Sequence, residues 1–247
     1  INSSNINGSH LEINKDSTWV FGNIAQLDET ILEYIIENNF KYYFVEFDYK
    51  FCEYRNPKLY EFLEEEECDY RSTEKGKLYT SFINKSIKTF FMSEGQKELF
   101  TKSLDVNEEK LFVLSSLFDE NFFSNIESLQ KTAKNDKWIV LGSRSWVKGA
   151  QQSESWCKDN NLDYEVVNNL SYEEMLKKLA ESKGICFKPT GFDTCPRFVI
   201  EAKLLGCELE LNENVQHLNE EWFNSDNKTA IEYLKTRKDK FWEIVGE

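Results

Sequence analysis

GICFKPTGFDTCPRFVIEAKLLGCELELN, residues 184–212, is the stretch that decides the fold of this chain. Its pattern predicts four elements in order: a buried strand at 184–188, a turn at 190–195, a helix at 197–205 and a second strand at 207–211. Pro189 ends the first strand and Gly206 ends the helix. A strand–helix–strand unit of this kind aims the N-terminus of its helix at the carboxyl edge of a parallel sheet, where open α/β folds bind anions.

The turn and the helix of this stretch carry two carboxylates, Asp193 and Glu201. Pro196 is expected in the first helical turn, where its missing N–H is tolerated, with Asp193 or Thr194 as the N-cap. Glu201 lies in the mostly apolar segment PRFVIEAKLL, where a carboxylate needs a hydrogen-bond donor. Two kinds of donor fit: the hydroxyl groups of a bound ribose, or a Lys or Arg side chain on the surface of the same helix.

Strand and helix patterns alternate through the rest of the chain. Further strands are predicted at 18–21, 41–49, 86–92, 110–115, 137–141 and 163–167. Helices are predicted at 28–38, 93–104, 150–160, 171–182 and 227–245. Ser93 is predicted to cap one helix, and S-Y-E-E at Ser171 predicts a capping box at the start of another. This order predicts an α/β fold.

Glu46 and Asp48 interrupt the apolar pattern of the predicted strand 41–49. Two explanations remain open for acids that alternate with apolar residues in this way. The strand lies near the edge of its sheet, or the acids reach a functional site at its carboxyl end.

The loop GSRSWVKG, residues 142–149, follows a predicted strand and precedes a predicted helix. Arg144 and Lys148, together with a helix N-terminus, offer the positive charge that two phosphate groups require. The alternative is a solvated basic turn. The Gly-Lys-Ser/Thr order of a Walker loop is absent, which excludes that class of phosphate-binding loop.

The net charge of −14 argues against a nucleic-acid-binding protein and against binding to an anionic membrane. The six cysteines form no C-x-x-C pair, so zinc is not expected, and Cys186 and Cys207 are predicted to be buried as small apolar residues. Of the two histidines, His217 falls in a loop and is predicted to be structural or solvated. The scattered cysteines predict a reduced, cytoplasmic setting. No signal peptide is recognised, and the lack of a run of about 18 apolar residues predicts no transmembrane segment.

The stretch 184–212 is similar to the donor-binding signature of GT-B glycosyltransferases of the group 1, GT4-like, family. That signature has two acidic residues separated by seven others, and the second acid is followed by Ala. Asp193 and Glu201 with Ala202 match it, although Asp193 stands where the family usually has Glu. Gly206 matches the Gly that precedes the last strand of the signature.

Other segments add to this resemblance. The family has a Gly-Arg loop followed by Lys-Gly at a helix start, and Lys148 matches that Lys. Arg144 lies four residues before it, and Ser143 holds the place of the family's Arg. Ser93 after a strand and the segment SLFD at 116–119 occupy the places of two further family loops, although the family's Asn-Gly pair is replaced.

The resemblance implies an α/β fold of GT-B-like type, with two Rossmann-like lobes that face each other across a cleft. The N-terminal lobe is expected to be short or incomplete. The expected boundaries are an N-terminal, acceptor-side lobe at 1–119, a linker at 120–136, a C-terminal lobe for the nucleotide-sugar donor at 137–230 and a helix that crosses back at 231–247.

The resemblance also implies a retaining glycosyltransferase that needs no metal and no cofactor besides its nucleotide-sugar co-substrate. The acceptor is expected to be a glycan, a lipid or a small molecule. The implied donor-binding residues are Gly142, Ser143, Arg144, Lys148, Asp193, Thr194, Cys195 and Glu201, with Lys148, Asp193 and Glu201 as catalytic candidates. The Lys and Arg would neutralise the diphosphate, and the Glu would hold the ribose. The Asp, with nearby backbone amides, would hold the sugar hydroxyls or the phosphate.

Two other functions fit the same pattern. One is a nucleotide-sugar-binding or assembly protein that keeps a donor lobe without catalysis, which the short first lobe and Asp193 favour. The other is an epimerase of GT-B shape, which would rely on acid/base groups and is disfavoured by the shortage of His.

Overall fold

A computed structural model describes residues 1–246 of the chain; Glu247, at the end of the predicted crossing helix, lies outside the described residues. The chain divides into two compact units, Ile1–Leu114 and Ser115–Glu247. Each unit contains one four-stranded parallel sheet with helices between its strands. The chain is therefore a Rossmann-like α/β protein, as the alternation of patterns predicts.

The first unit contains five α-helices and four strands over its described residues. The helices are α1 (Gly8–Ile13), α2 (Glu29–Glu37), α3 (Pro57–Glu64), α4 (Glu74–Lys85) and α5 (Glu94–Ser103). The strands are β1 (Trp19–Phe21), β2 (Tyr42–Glu46), β3 (Thr89–Phe91) and β4 (Leu111–Val113). The sheet order is β1-β2-β3-β4, so each strand lies beside the strand that precedes it in the sequence.

Aromatic side chains form much of the core of the first unit. All residues of β2 are buried, as expected for an inner strand of a parallel sheet that is covered on both faces. The ring of Phe82, from α4, lies 4.6 Å from Tyr42 and 5.2 Å from Phe44 between centroids. The sequence did not clearly predict α4, because polar residues surround its few buried apolar side chains, among them Tyr79, Phe82 and Ile83.

Over the residues up to 246, the first helix of the second unit is α6 (Glu120–Leu129), and five further α-helices and four strands follow it. The strands are β5 (Trp138–Leu141), β6 (Tyr164–Val167), β7 (Gly184–Phe187) and β8 (Glu208–Leu211). The other helices are α7 (Ala150–Asp159), α8 (Tyr172–Glu181), α9 (Arg197–Leu204), α10 (Glu221–Asn224) and α11 (Asn227–Gly246). The strand, turn, helix and strand predicted for residues 184–212 are confirmed, with small differences at their ends.

Helices cover both faces of the second sheet. Ile139 and Ile185 belong to a large apolar cluster that includes residues of α6, α8, α9 and α11. Val140 and Cys186, their neighbours along the strands, pack on the other face with Cys157 of α7. This alternation is the two-residue period of a strand, and it confirms Cys186 as a small apolar core residue.

The segment 120–136, expected to be a linker, includes α6. Phe122, Phe123 and Ile126 of this helix are buried in the apolar cluster of the second unit. Spacings of three and four residues place these side chains on one helix face, which packs against the cluster.

Two predicted helix starts are confirmed and one is wrong. Ser93 Oγ accepts a hydrogen bond from the Gln96 N–H at 3.2 Å, and Ser171 forms the predicted capping box. Pro196 is the N-cap of α9 rather than a residue of its first turn, and no side chain caps this helix. Asp193 does not cap it because its carboxylate binds a lysine instead.

Candidate functional site

The strand order of the second unit, β6-β5-β7-β8, creates a topological switch point between β5 and β7. The connections that leave these two strands run in opposite directions, and open α/β proteins bind ligands in the crevice that results. The loops 142–149 and 188–196 lie at the carboxyl ends of these strands. The Val147 carbonyl accepts hydrogen bonds from the N–H groups of Thr190 and Gly191, at 3.0 and 3.3 Å, and joins the two loops.

Two glycines of the loop 142–149 lie in close contact with their neighbours, and at Gly149 the backbone itself requires glycine. Gly149 has φ of +60°, and a Cβ there would lie 2.0 Å from the carbonyl oxygen of Lys188. A Cβ at Gly142 would lie 1.9 Å from Oδ1 of Asn168. Both ends of the loop therefore lie close to other parts of the carboxyl edge, which fixes the position of Lys148 between them.

Lys148 and Asp193 form an ion pair at the switch point. Lys148 Nζ lies 2.6 Å from Asp193 Oδ2, and the exposed fractions of the two side chains are 36% and 10%. The Asp193 backbone is held in place because its N–H donates to the Asn214 carbonyl at 2.8 Å and its carbonyl accepts from the Gln216 N–H at 3.0 Å. The structure thus brings together two of the three predicted catalytic candidates, and it shows a partner for Lys148 that the sequence did not predict.

Arg144 and Ser143 lie on the same loop but are not part of this pair. Arg144 is exposed and forms no ion pair with any residue in the described part of the chain. Ser143 Oγ accepts a hydrogen bond from the Ser145 N–H at 3.1 Å, which stabilises a local turn. The Arg144 guanidinium therefore lies in solvent, as expected for the alternative of a solvated basic turn.

Cys195 and Thr194 precede α9, at the edge of the crevice. The hydroxyl of Ser116 donates to Cys195 Sγ at 3.4 Å, and Ser115 Oγ lies 3.8 Å from the same sulfur. Burial raises the pKa of the Cys195 thiol to about 11, although the hydrogen bonds from the two serines oppose this rise. The thiol is therefore protonated at neutral pH, which makes it a poor nucleophile.

Glu201 is buried in α9, with 5% of its side chain exposed. The hydroxyl of Tyr172, from the first residue of α8, donates to Glu201 Oε1 at 3.1 Å. Arg197 Nε lies 3.7 Å from the same oxygen, and the Arg197 guanidinium lies 4.6 Å from the centroid of the Phe118 ring. The alternative of a cation on the same helix is therefore realised, and the carboxylate has a second donor from a neighbouring helix.

The sequence allowed for a cation on the same helix without identifying Arg197, and it gave no indication of Tyr172. Arg197 lies four residues before Glu201, a spacing that places two side chains on one helix face, so this partner could have been found. Tyr172 lies 29 residues before Glu201 in the sequence. No local pattern relates positions that far apart, so the second partner becomes evident only from the packing of α8 against α9.

Burial raises the pKa of Glu201 to about 7, although Arg197 and Tyr172 oppose this rise. The folded carboxyl thus holds its proton at pH values where an unfolded Glu has lost it. The free energy of unfolding should therefore fall as the pH rises from about 4.5 to about 7, by roughly 3 kcal/mol for this group. In Glu201→Gln we expect this dependence to disappear, as measured by urea unfolding across the pH range.

Glu154→Gln is the matched control. Glu154 also accepts a tyrosine hydroxyl, that of Tyr164 at 3.5 Å, but it is only half-buried. The control should keep the slope of the wild type. An unchanged slope in Glu201→Gln would show that Glu201 does not titrate in this range.

Two side-chain oxygens, Thr190 Oγ1 and Asn214 Oδ1, are buried and have no hydrogen-bond partner in the described chain. The orientation of the Asn214 amide is defined, because its Nδ2 donates to the carbonyls of Pro189 and Thr190 at 2.8 and 3.2 Å. Buried polar atoms are nearly always hydrogen-bonded, so each of these two oxygens is an exception. Neither residue was predicted from the sequence.

His217 is fully buried and belongs to the core of the second unit. Its ring centroid lies 4.5 Å from that of Phe223 and 5.7 Å from that of Trp222. Burial lowers its pKa to about 3, so the imidazole is neutral at physiological pH. The structural role predicted for this loop histidine is confirmed, and the alternative of a solvated side chain is wrong.

The first unit also has charged residues at the carboxyl end of a strand. β2 ends at Glu46, so Asp48 lies beyond the strand, and β2 is not an edge strand because it pairs with both β1 and β3. Glu46 is fully buried and paired with Lys50, whose side chain is 2% exposed. Asp48 binds Lys50 at 3.2 Å and also binds Arg55. Lys50 and Arg55, cations of the same unit, therefore pair with the two acids that interrupt the apolar pattern.

Comparisons with known proteins assign no family to this chain. No protein-family model matches the sequence, and no curated protein matches it either. The fold and the switch-point crevice define the chain as a Rossmann-like α/β protein with two parallel sheets. Between residues 1 and 246, no helix combines the length and the apolar character that are needed to cross a bilayer.

Proposed function

We propose that this chain is a nucleotide-sugar-dependent glycosyltransferase of GT-B type, with its donor site at the switch point of the second unit. The observation that carries the proposal is the placement of Lys148, Asp193 and Glu201. The first two meet at the carboxyl ends of β5 and β7, and Glu201 lies in the helix that follows β7. Each position matches the family signature, and the crevice is where an open α/β fold binds a nucleotide.

Lys148 has the main catalytic role in this proposal. When the bond between the sugar and the diphosphate breaks, negative charge develops on the leaving phosphate oxygen. An ammonium group at a fixed position stabilises that charge without reorganisation of solvent. Arg144, exposed on the same loop, supplies a second positive charge when a ligand is bound, so the scheme requires no metal.

Glu201 and Asp193 hold the two ends of the donor. Glu201, oriented by Tyr172 and Arg197, accepts hydrogen bonds from the ribose hydroxyls. Asp193 accepts from hydroxyls of the donor sugar, and the backbone amides of Thr194 and Cys195 bind the adjacent phosphate. The retaining stereochemistry is proposed only because the family resemblance implies it.

Thermal unfolding with UDP, GDP, ADP, CMP and their sugars tests this function. We expect one diphosphate to raise the melting temperature of the wild type, because a ligand at about 100 times its Kd adds roughly 2.7 kcal/mol to the free energy of unfolding. Lys148→Ala and Glu201→Ala should show no such rise. Lys183→Ala is the control, because Lys183 is half-exposed and precedes β7, at the opposite edge of the sheet. A chain that no nucleotide stabilises would contradict the proposal.

A nucleotide-sugar-binding protein without catalysis is the second candidate. It is favoured by the sheet of the first unit, whose strands follow the sequence order over the described residues and form no switch point. Donor turnover distinguishes the two functions. Slow hydrolysis of a bound nucleotide sugar, lost in Lys148→Ala, would support the enzyme, whereas binding without turnover would support the second candidate.

A further inference from the structure

A groove of about 430 Å³ runs between α6 and α11, both of which belong to the second unit. Phe123 of α6 is buried, Ile231 of α11 is half-buried, and together they form the apolar floor of the groove. The rest of the lining comes from the same two helices and from Gln130, which directly follows α6, so the groove is separate from the candidate donor site. An apolar floor between charged walls is the usual anatomy of a protein–protein interface.

The charged side chains of this groove are separated by sign. Glu120 and Glu127 lie on α6, whereas Lys228 and Lys235 lie on α11. All four residues are exposed, and none of them forms an ion pair with any residue between 1 and 246. The groove therefore has an acidic wall on α6 and a mainly basic wall on α11, and the charges of the two walls do not neutralise each other.

The two helices run antiparallel, which fixes the positions of these charges along the groove. At one end, Gln130 Nε2 and Asn227 Nδ2 both donate to the Leu204 carbonyl, at 3.0 and 3.1 Å. Towards the other end, Lys235 Nζ lies 5.2 Å from the centroid of the Phe123 ring. The end of α6 is thus level with the start of α11, and the start of α6 is level with positions further along α11.

We propose that this groove is a dimer interface, in which a second copy of the chain packs its own groove face to face against the first. Rotation by 180° about the groove axis places α6 of each copy opposite α11 of the other and keeps every residue at its level. Glu127 then meets Lys228 of the partner subunit, and Glu120 meets Lys235 of the partner subunit. The acidic wall of each copy thus faces the basic wall of the other.

Charge complementarity favours a second copy over a partner of one charge sign. Such a partner would meet like charges on one of the two walls, which is unfavourable, whereas a second copy carries both signs in the required arrangement. Glu232, the other charged residue of the lining, lies on α11 and falls level with the neutral Ser124 of the partner subunit. The four helices then form a bundle whose core contains Phe123 and Ile231 of each copy.

The dimer should be weak and should depend on salt. The contact is small, and small contacts are typical of transient interfaces. Two chains that each have a net charge of −14 also repel each other at long range. At about 0.15 M salt this repulsion is screened beyond about 8 Å, which is longer than the distance within a contacting ion pair. The inference does not rest on the proposed function, because the groove contains none of the residues assigned to the donor.

Sedimentation velocity of the full chain, at about 0.15 M salt and up to about 0.1 mM protein, tests the inference. The wild type should form a dimer whose fraction increases with concentration. Glu127→Lys and Lys228→Glu should each weaken dimerisation by at least about tenfold, because each puts like charges opposite each other. An equimolar mixture of the two variants should form a heterodimer, and the double variant should form a homodimer again, because opposite charges then meet in both cases.

Glu33→Lys is the matched control, because Glu33 is exposed on α2 of the first unit and the change in net charge is the same. This variant should dimerise at least as well as the wild type. General repulsion predicts stronger association for Glu127→Lys, which lowers the net negative charge, so a weaker dimer identifies a local contact. Thermal unfolding of each variant verifies that it is folded.

Three results would overturn the inference. The first is a wild type that stays monomeric over the whole concentration range. The second is a Glu127→Lys or Lys228→Glu variant that dimerises as the wild type does. The third is a folded double variant that remains monomeric, since it would show that the two positions do not face each other across the interface.

Discussion

Replacing His217 by Phe is expected to protect the protein against acid. Burial lowers the pKa of His217 to about 3, so the imidazole takes up a proton on unfolding at any pH between about 3 and about 6.5. The wild type therefore loses stability as the pH falls through this range, by roughly 2 kcal/mol at about pH 5 and roughly 4 kcal/mol at about pH 3 from this group. Phe keeps the ring contacts with Trp222 and Phe223 and cannot bind a proton.

The measurement is urea unfolding of both proteins from neutral to acidic pH. His10→Gln is the control, because His10 is only half-buried, and it should behave as the wild type. Glu201 contributes the opposite slope between about pH 4.5 and about pH 7, so the two groups partly cancel in the wild type. His217→Phe should reveal the Glu201 slope, with stability that increases on mild acidification. Equal acid sensitivity in His217→Phe and the wild type would contradict the assignment.

Replacing Lys50 by Met is expected to be the most damaging single change in the first unit. Met preserves much of the buried stem but removes the charge that neutralises Glu46, whose side chain is fully buried. Breaking one partner of a buried ion pair typically costs about 3–5 kcal/mol, because the other charge is left uncompensated. Burial already raises the pKa of Glu46 against the influence of Lys50, so the loss should be larger at alkaline than at mildly acidic pH.

A second substitution separates charge from packing. Glu46→Gln in the Lys50→Met background removes the remaining buried charge, and we expect it to restore most of the lost free energy of unfolding. Lys75→Met is the control, because Lys75 pairs with the exposed Glu53 at 3.2 Å, and such pairs contribute about 1 kcal/mol or less. If the double variant is as unstable as Lys50→Met alone, packing rather than charge explains the loss.

Local signals in the sequence predicted the elements that frame the candidate site. The capping box at Ser171 and the apolar runs of β5 and β7 can each be recognised within a few residues. The helix α4 was harder to predict, because polar residues interrupt its apolar pattern and Thr80 and Ser81 separate its two buried aromatic residues, Tyr79 and Phe82. Tertiary packing rather than local pattern stabilises such a helix.

The candidate site was predicted one residue at a time, but not as a set of contacts. Lys148 and Asp193 were each selected for chemistry, yet their ion pair joins positions 45 residues apart. The sequence contains no pattern that singles out Asn214, because the feature that distinguishes this residue is a buried oxygen without a hydrogen-bond partner. A sequence reveals which residues carry suitable chemistry, whereas pairing and burial depend on how distant loops pack.

The two sheets differ in how they can be assembled while the chain is synthesised. In the first sheet every new strand is made next to the strand already present, so the sheet can grow from one edge. In the second sheet β5 is synthesised first but occupies an inner position. Its neighbour at the switch point, β7, is synthesised only after α7, β6 and α8. We expect Lys148 to leave the ribosome long before Asp193 and the Asn214 carbonyl that positions it. The candidate site at the switch point is thus complete only after β7 and the segment that contains Asn214 have been synthesised.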